Sequence, residues 1–311
     1  MKFLYKVAAS ALAVTTVAAF GPVAHAARKK PSPTGAFTKA WGAVAPTLTG
    51  KLDPKSRNVC NRGEAKCVQI VADEMRARSD ALAARCDHAA PFITAYLLET
   101  QQIAKVVETT FDDPAYLSHL AAVFGKYYFD AYDNWRAGRT TKVPPTWQTA
   151  LDAARNRQVF GMGDILLGIN SHITRDLPFV LEQVGLTTPS GASRKPDFEK
   201  VNDLISAQQD AVVSENARRF DPAIGAFSFP ALDVDEKTFA ALVINWREES
   251  WRNAERLIAA KTSRERTAIA QEIEDTAVTR QVAILGTTTY LPFIASTNER
   301  DAYCQQHHND Q

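Results

Sequence analysis

Apolar residues in this chain recur three and four positions apart along most of its length, and they hardly ever alternate. That spacing lines up one face of an α-helix, whereas alternation would line up one face of a strand. Val68, Val71, Met75 and Leu82 mark a helix over 67–85, and Phe92, Tyr96, Ile103 and Val107 mark a second over 88–110. Leu117, Leu120, Phe124, Tyr128 and Tyr132 mark a third, which opens at Pro114 and stops before Gly138. The pattern predicts five more helices: 146–157 with Thr146 as N-cap, 159–184, 197–219, 235–261 and 263–286. Between them, 220–235 carries Phe220, Phe227, Phe229 and several Pro and Gly residues. Such a loop is too apolar to be a solvated linker and should pack on the core. The tail from Tyr290 onward reads as irregular. The fold class expected is all-α, a single bundle of about eight helices over 47–311.

The N-terminus has the form of an export signal over 1–26. Lys2 and Lys6 precede an apolar run from Val7 to Phe20, Gly21-Pro22 breaks it, and Ala24-His25-Ala26 is a small-x-small cleavage site. The apolar run is shorter than the roughly 20 residues of a membrane span, so cleavage would leave no stable membrane anchor. Residues 27–46 read as a flexible leader. Loss of Lys2 and Lys6 moves the net charge from +1 to −1. A balance so near zero gives no electrostatic reason to bind nucleic acid or an anionic membrane.

Four cysteines in an exported chain suggest two disulfides. Cys60 and Cys67 flank the turn-like Asn61-Arg62-Gly63, which favours a local loop and leaves Cys86 for Cys304. A zinc site is the competing reading, but the four lack the paired close spacings of zinc ribbons. Secreted or periplasmic location follows from the signal and these cysteines.

The densest chemistry lies at Leu166-Leu167-Gly168-Ile169-Asn170-Ser171-His172-Ile173-Thr174-Arg175-Asp176-Leu177-Pro178. Asp164, Gly168, His172 and Asp176 form a stripe at four-residue spacing, with Gly168 leaving a gap for another backbone or a ligand. Pro178 should kink or end the helix, and Gly185 should stop it. Polar groups set among apolar neighbours must be paired or bind something. His172 and Asp176 could ligate one metal ion, or Asp176 could orient His172 as a general base. In the alternative, Asn170, His172 and Asp176 form a buried network in which an arginine pairs with Asp176.

Three other stretches could contribute. Asp130 and Asp133 lie three apart on the helix before Gly138. Arg247, in Trp246-Arg247-Glu248-Glu249-Ser250-Trp251, could neutralise Asp176 or hold an anionic group, and Glu248 could complete a metal shell. His88 shares a stripe with Phe92 and Tyr96. There is no P-loop, dinucleotide glycine pattern or G-x-S-x-G elbow.

The central string resembles the signature L-L-G-[IM]-N-x-H-I-x-x-D-L-P of an uncharacterised helical family, a domain of unknown function. Phe124 with Tyr128, Trp147, and Arg247-x-x-x-Trp251-x-x-Ala254 also look similar, over roughly 85–285. The resemblance implies an all-helical fold and directs attention to Asn170, His172, Asp176 and Arg247. A more distant likeness is to the zinc-dependent phospholipase C and S1/P1 nuclease group, through the H-x-x-x-D pair. That group needs more histidines than this chain offers, since His307 and His308 lie in the tail.

The expectation is therefore a polar site inside the bundle that binds a metal or small ligand. His172, Asp176 and Arg247 are its catalytic candidates and Asn170 its cofactor contact. His172, Asp176, Asp130, His88 and Glu248 are candidate ligands for a divalent ion, zinc before others. Metal-dependent hydrolysis of a phosphoester-like substrate is one alternative. A non-catalytic scaffold is the other.

Overall fold

The computed structural model describes residues 38–225, 236–290 and 297–310, except for the side chains of 236–238. Helices α1 to α11 span Lys39–Val44, Lys66–Ala83, Ala90–Thr110, Pro114–Arg136, Pro145–Arg155, Gly161–Ile169, Leu177–Val184, Lys195–Arg219, Glu236–Ala259, Ser263–Thr288 and Thr297–His307. Extended pairing among the described residues is limited to isolated bridges, such as Val159 with Thr289. The all-α expectation holds, with more and shorter helices than the periodicity predicts. The signal segment 1–26 and most of the aromatic-rich loop, 226–235, lie outside the described residues.

Local chemistry sets several boundaries. Asp113 caps α4 by accepting from the Tyr116 N–H, and Thr262 with Glu265 forms a reciprocal capping box on α10. Gly185 ends α7 at φ 84°, a conformation glycine adopts without steric cost. Thr146 is not an N-cap. Pro145 already occupies the first turn of α5, where its preset φ suits helix entry, and the Thr146 hydroxyl is buried without a partner.

Two segments expected to lack structure are helical. Inside the predicted 27–46 leader, α1 buries Trp41 edge-on against Phe129, 5.1 Å between centroids. In the tail, α11 buries Arg300 and Cys304. Both cysteine pairs form, Cys60 with Cys67 and Cys86 with Cys304. The second ties α11 to the turn between α2 and α3.

The run Gly161–Val184 is continuous but changes pitch. Between α6 and α7, Asn170–Asp176 forms a π-helical segment with all but Arg175 buried. Leu177 N–H donates to His172 C=O, five residues back. Pro178 follows at the start of α7 and does not end the helix. The wide turn accommodates it, because the carbonyl that faces its ring lies one residue further back than in an α-helix. Neighbouring helices enclose this segment: α4, α5, α9 and α10 pack on it, and α3 packs on α6.

Candidate functional site

The π segment carries His172 into a nest of rings. Its imidazole stacks on Phe124 at 3.5 Å and 4° between planes, with Tyr96 edge-on at 4.6 Å. Phe92 and Trp147 close the nest at 6.1 and 5.9 Å. Phe92 and Tyr96 come from α3, Phe124 from α4 and Trp147 from α5, so three helices converge on one side chain.

Asp176 holds the polar end. Its Oδ2 accepts from Trp147 Nε1 at 2.7 Å and lies 3.3 Å from His172 Nδ1, and its Oδ1 accepts from Arg175 Nη1 at 2.8 Å. Because Asp176 Oδ2 serves as the acceptor of that contact, Nδ1 is its donor and carries the imidazole proton. Burial, opposed by Asp176, pushes the His172 pKa below its ordinary value and keeps the ring neutral. Its Nε2 is therefore an acceptor, and it is buried with no hydrogen-bond partner. An unfilled buried acceptor of this kind costs about 1–3 kcal/mol.

That ring forms part of the wall of a cavity of about 140 Å³. The rest of the wall is mostly apolar, with Leu120, Phe124, Ile173 and Val201 among its residues. Two charged groups interrupt it, Glu99 from α3 and Arg247 from α9. Burial pushes the Glu99 carboxyl up to about 7 against the pull of Arg247. Burial also brings the Arg247 guanidinium down to about 10, which leaves it charged at neutral pH. Glu99 was not among the residues expected at a site. The signal was present: it sits three after Tyr96 and four before Ile103, a carboxylate on an apolar stripe.

Other expected residues make contacts different from those expected. Arg247 does not meet Asp176, whose arginine is its neighbour Arg175. Instead Arg247 donates to Asn202 Oδ1 and Phe198 O, each at 2.7 Å, and lies 4.2 Å over the Phe198 ring. Asn170 donates to Ala277 C=O at 2.8 Å and binds the π segment to α10. The gap at Gly168 is filled by a ring: a Cβ there would come within 2.3 Å of Phe92 Cγ.

His88 belongs to a separate network. Its Nδ1 accepts from Arg300 Nη1 at 2.9 Å, and Nε2–H donates to Asp301 Oδ1 at 2.8 Å. The same Arg300 nitrogen donates to Asp164 at 2.7 Å. Burial, helped by the Arg300 charge, pulls the His88 pKa down to about 4. Asp130 is exposed and paired with Lys126, and Asp133 is clamped by Arg78 at 2.8 Å. Glu248 is held by Lys195 at 2.8 Å and Arg252 at 3.1 Å. The five candidate ligands are thus dispersed, each beyond His172 and Asp176 committed to its own partner. Among the described residues no three His, Cys, Asp or Glu side chains gather as a metal site.

A family model described as a family of unknown function, DUF5995, matches residues 68–287, and the chain belongs to that family. No curated protein and no solved structure matches the chain. The matched residues take in the π segment, His172, Asp176, Glu99 and Arg247.

Proposed function

We propose that this DUF5995 member binds a small, largely apolar molecule beside His172, with Nε2 accepting a hydrogen bond from a hydroxyl or N–H of that ligand. The observation that carries this reading is an unpartnered buried imidazole nitrogen on a ring that walls an apolar cavity. Few, well-placed polar groups in an apolar pocket fix a ligand's orientation. The volume suits a compact guest: an engineered protein cavity of about 150 Å³ takes up benzene.

Phenol and toluene differ in little but the hydroxyl, and calorimetric titration of both is the test. Phenol is expected to bind several-fold more tightly to the parent. The His172→Phe variant should keep toluene and lose the preference. Binding of neither compound by the parent overturns the reading and favours a scaffold with a structural network.

The Asp176–His172 pair supports a second reading, general-base catalysis on the bound molecule, because Asp176 orients the ring and leaves Nε2 free to take a proton. Hydrolysis of small aryl esters that disappears in His172→Gln would support it. An unchanged rate in the variant would remove it. Elemental mass spectrometry tests the divalent-ion expectation. Stoichiometric zinc lost in both His172→Ala and Asp176→Asn would replace this reading with a metal-assisted hydrolase.

We infer that the protein works in an oxidising, exported setting, where Cys86–Cys304 and Cys60–Cys67 would persist. Among the described residues no helix is long and apolar enough to cross a membrane.

A further inference from the structure

Arg247 is 6 % exposed, yet no carboxylate of the described residues lies within ion-pair distance of it. Its Nε and Nη2 are spent on neutral acceptors, the Asn202 amide oxygen and the Phe198 carbonyl. Nη1 makes no hydrogen bond to any described residue. The free edge of the guanidinium is therefore Nη1 together with the second hydrogen of Nη2. Glu99 acts on this charge through space but forms no bond with it, and burial draws that carboxyl toward its neutral form. The ring of Phe198 offers the charge only a cation–π contact.

A buried charge without a counter-charge is costly. The two-nitrogen edge of a guanidinium matches the two oxygens of a carboxylate. Arg247 and His172 line the same cavity, whose wall is otherwise mostly apolar.

We propose that the ligand of this cavity is a compact amphipathic carboxylate, a ring- or short-chain-bearing acid whose carboxylate pairs with the free edge of Arg247. The proposal rests on the binding reading above and adds the charge of the ligand to it. A neutral apolar guest would fill the volume and leave the guanidinium uncompensated.

The test uses 4-hydroxyphenyl alkanoates of increasing chain length, each beside its primary amide. Both members of a pair carry the same phenol for His172 and differ only in the anion. Calorimetry on the full mature protein is run at pH 6, where the acids are ionised and Glu99 is largely protonated. At the best chain length the acid should bind at least tenfold more tightly than the amide. Arg247→Gln should abolish that gap and leave amide binding in place. Should Arg247→Gln not fold, the comparison of acid and amide on the parent still decides. Equal binding of acids and amides overturns this proposal and leaves the cavity reading standing. Binding of no pair overturns both.

Discussion

The Ser250 hydroxyl lies 2.7 Å from the carbonyl oxygen of Ile173, and it stands in for a donor that the helical run around Ile173 cannot supply. In the π register set by Leu177 N–H to His172 C=O, the next bond would run from residue 178 to Ile173. Residue 178 is proline and has no N–H. Ser250, on α9, supplies the hydrogen, sharing it with its own helix at Trp246 C=O. A bond across helices thus closes the wide turn that presents His172.

Ser250→Ala should leave the Ile173 carbonyl buried and unpaired, a loss of about 1–3 kcal/mol. The check is thermal unfolding together with amide exchange. The melting temperature should fall, and protection should drop first over 170–178. Unchanged protection there would mean that the turn holds without this bond.

Glu99 predicts a pH-dependent difference. Its folded pKa is raised from 4.5 to about 7. Between those values the folded state holds the proton more tightly than the unfolded chain. The contribution to stability is thus full below pH 4.5 and lost as pH rises through 7. Glu99→Gln should match the parent near pH 4.5 and exceed it at pH 8, by up to about 3 kcal/mol. The charged group that acts on Glu99 is Arg247, and it is common to both proteins. Melting curves at the two pH values suffice, and a difference that does not change with pH would contradict the burial argument.

The two disulfides should differ in what they are worth. Cys60–Cys67 closes a separation of 7 residues and Cys86–Cys304 one of 218. On the chain-entropy account the first contributes about 2 kcal/mol and the second about 5. Cys86→Ala with Cys304→Ala should lower the melting temperature more than the Cys60/Cys67 pair of substitutions. It should also expose α11 to exchange, because Arg300 and Cys304 bury that helix. Equal losses would mean that the helix is held by Arg300 alone.

The sequence was most legible where a helix must bury one face. Helices α2, α3 and α4 follow stripes that begin at Val68, Phe92 and Leu117. It was least legible where a helix is held by something other than a stripe. Thr297–His307 is polar almost all round and is fastened by Cys304 and by Arg300 among His88, Asp164 and the Val159 carbonyl. Lys39–Val44 is six residues long and depends on Trp41. At the site, His172 and Asp176 meet as their spacing predicts, since both lie on one helical run. Convergence between runs leaves no local trace. Nothing in the spacing tells Arg247 to turn toward Phe198, or His88 to turn toward Arg300. Pro178 signals a break, and the break is absorbed by a change of pitch that depends on Ser250, some seventy residues away.

The clasp between Cys86 and Cys304 also has a meaning in time. A ribosome adding about 5–20 residues each second needs on the order of ten to forty seconds to travel from one of these cysteines to the other. Cys67 follows Cys60 by only 7 residues, so their pairing does not wait on that interval. Until Cys304 is made, Cys86 lacks its partner, and His88 has neither Arg300 nor Asp301 to meet. The helix at 297–307 thus reaches its place long after the turn it is clasped to has been made, and a chain lacking residues 297–311 would leave Cys86 without its partner.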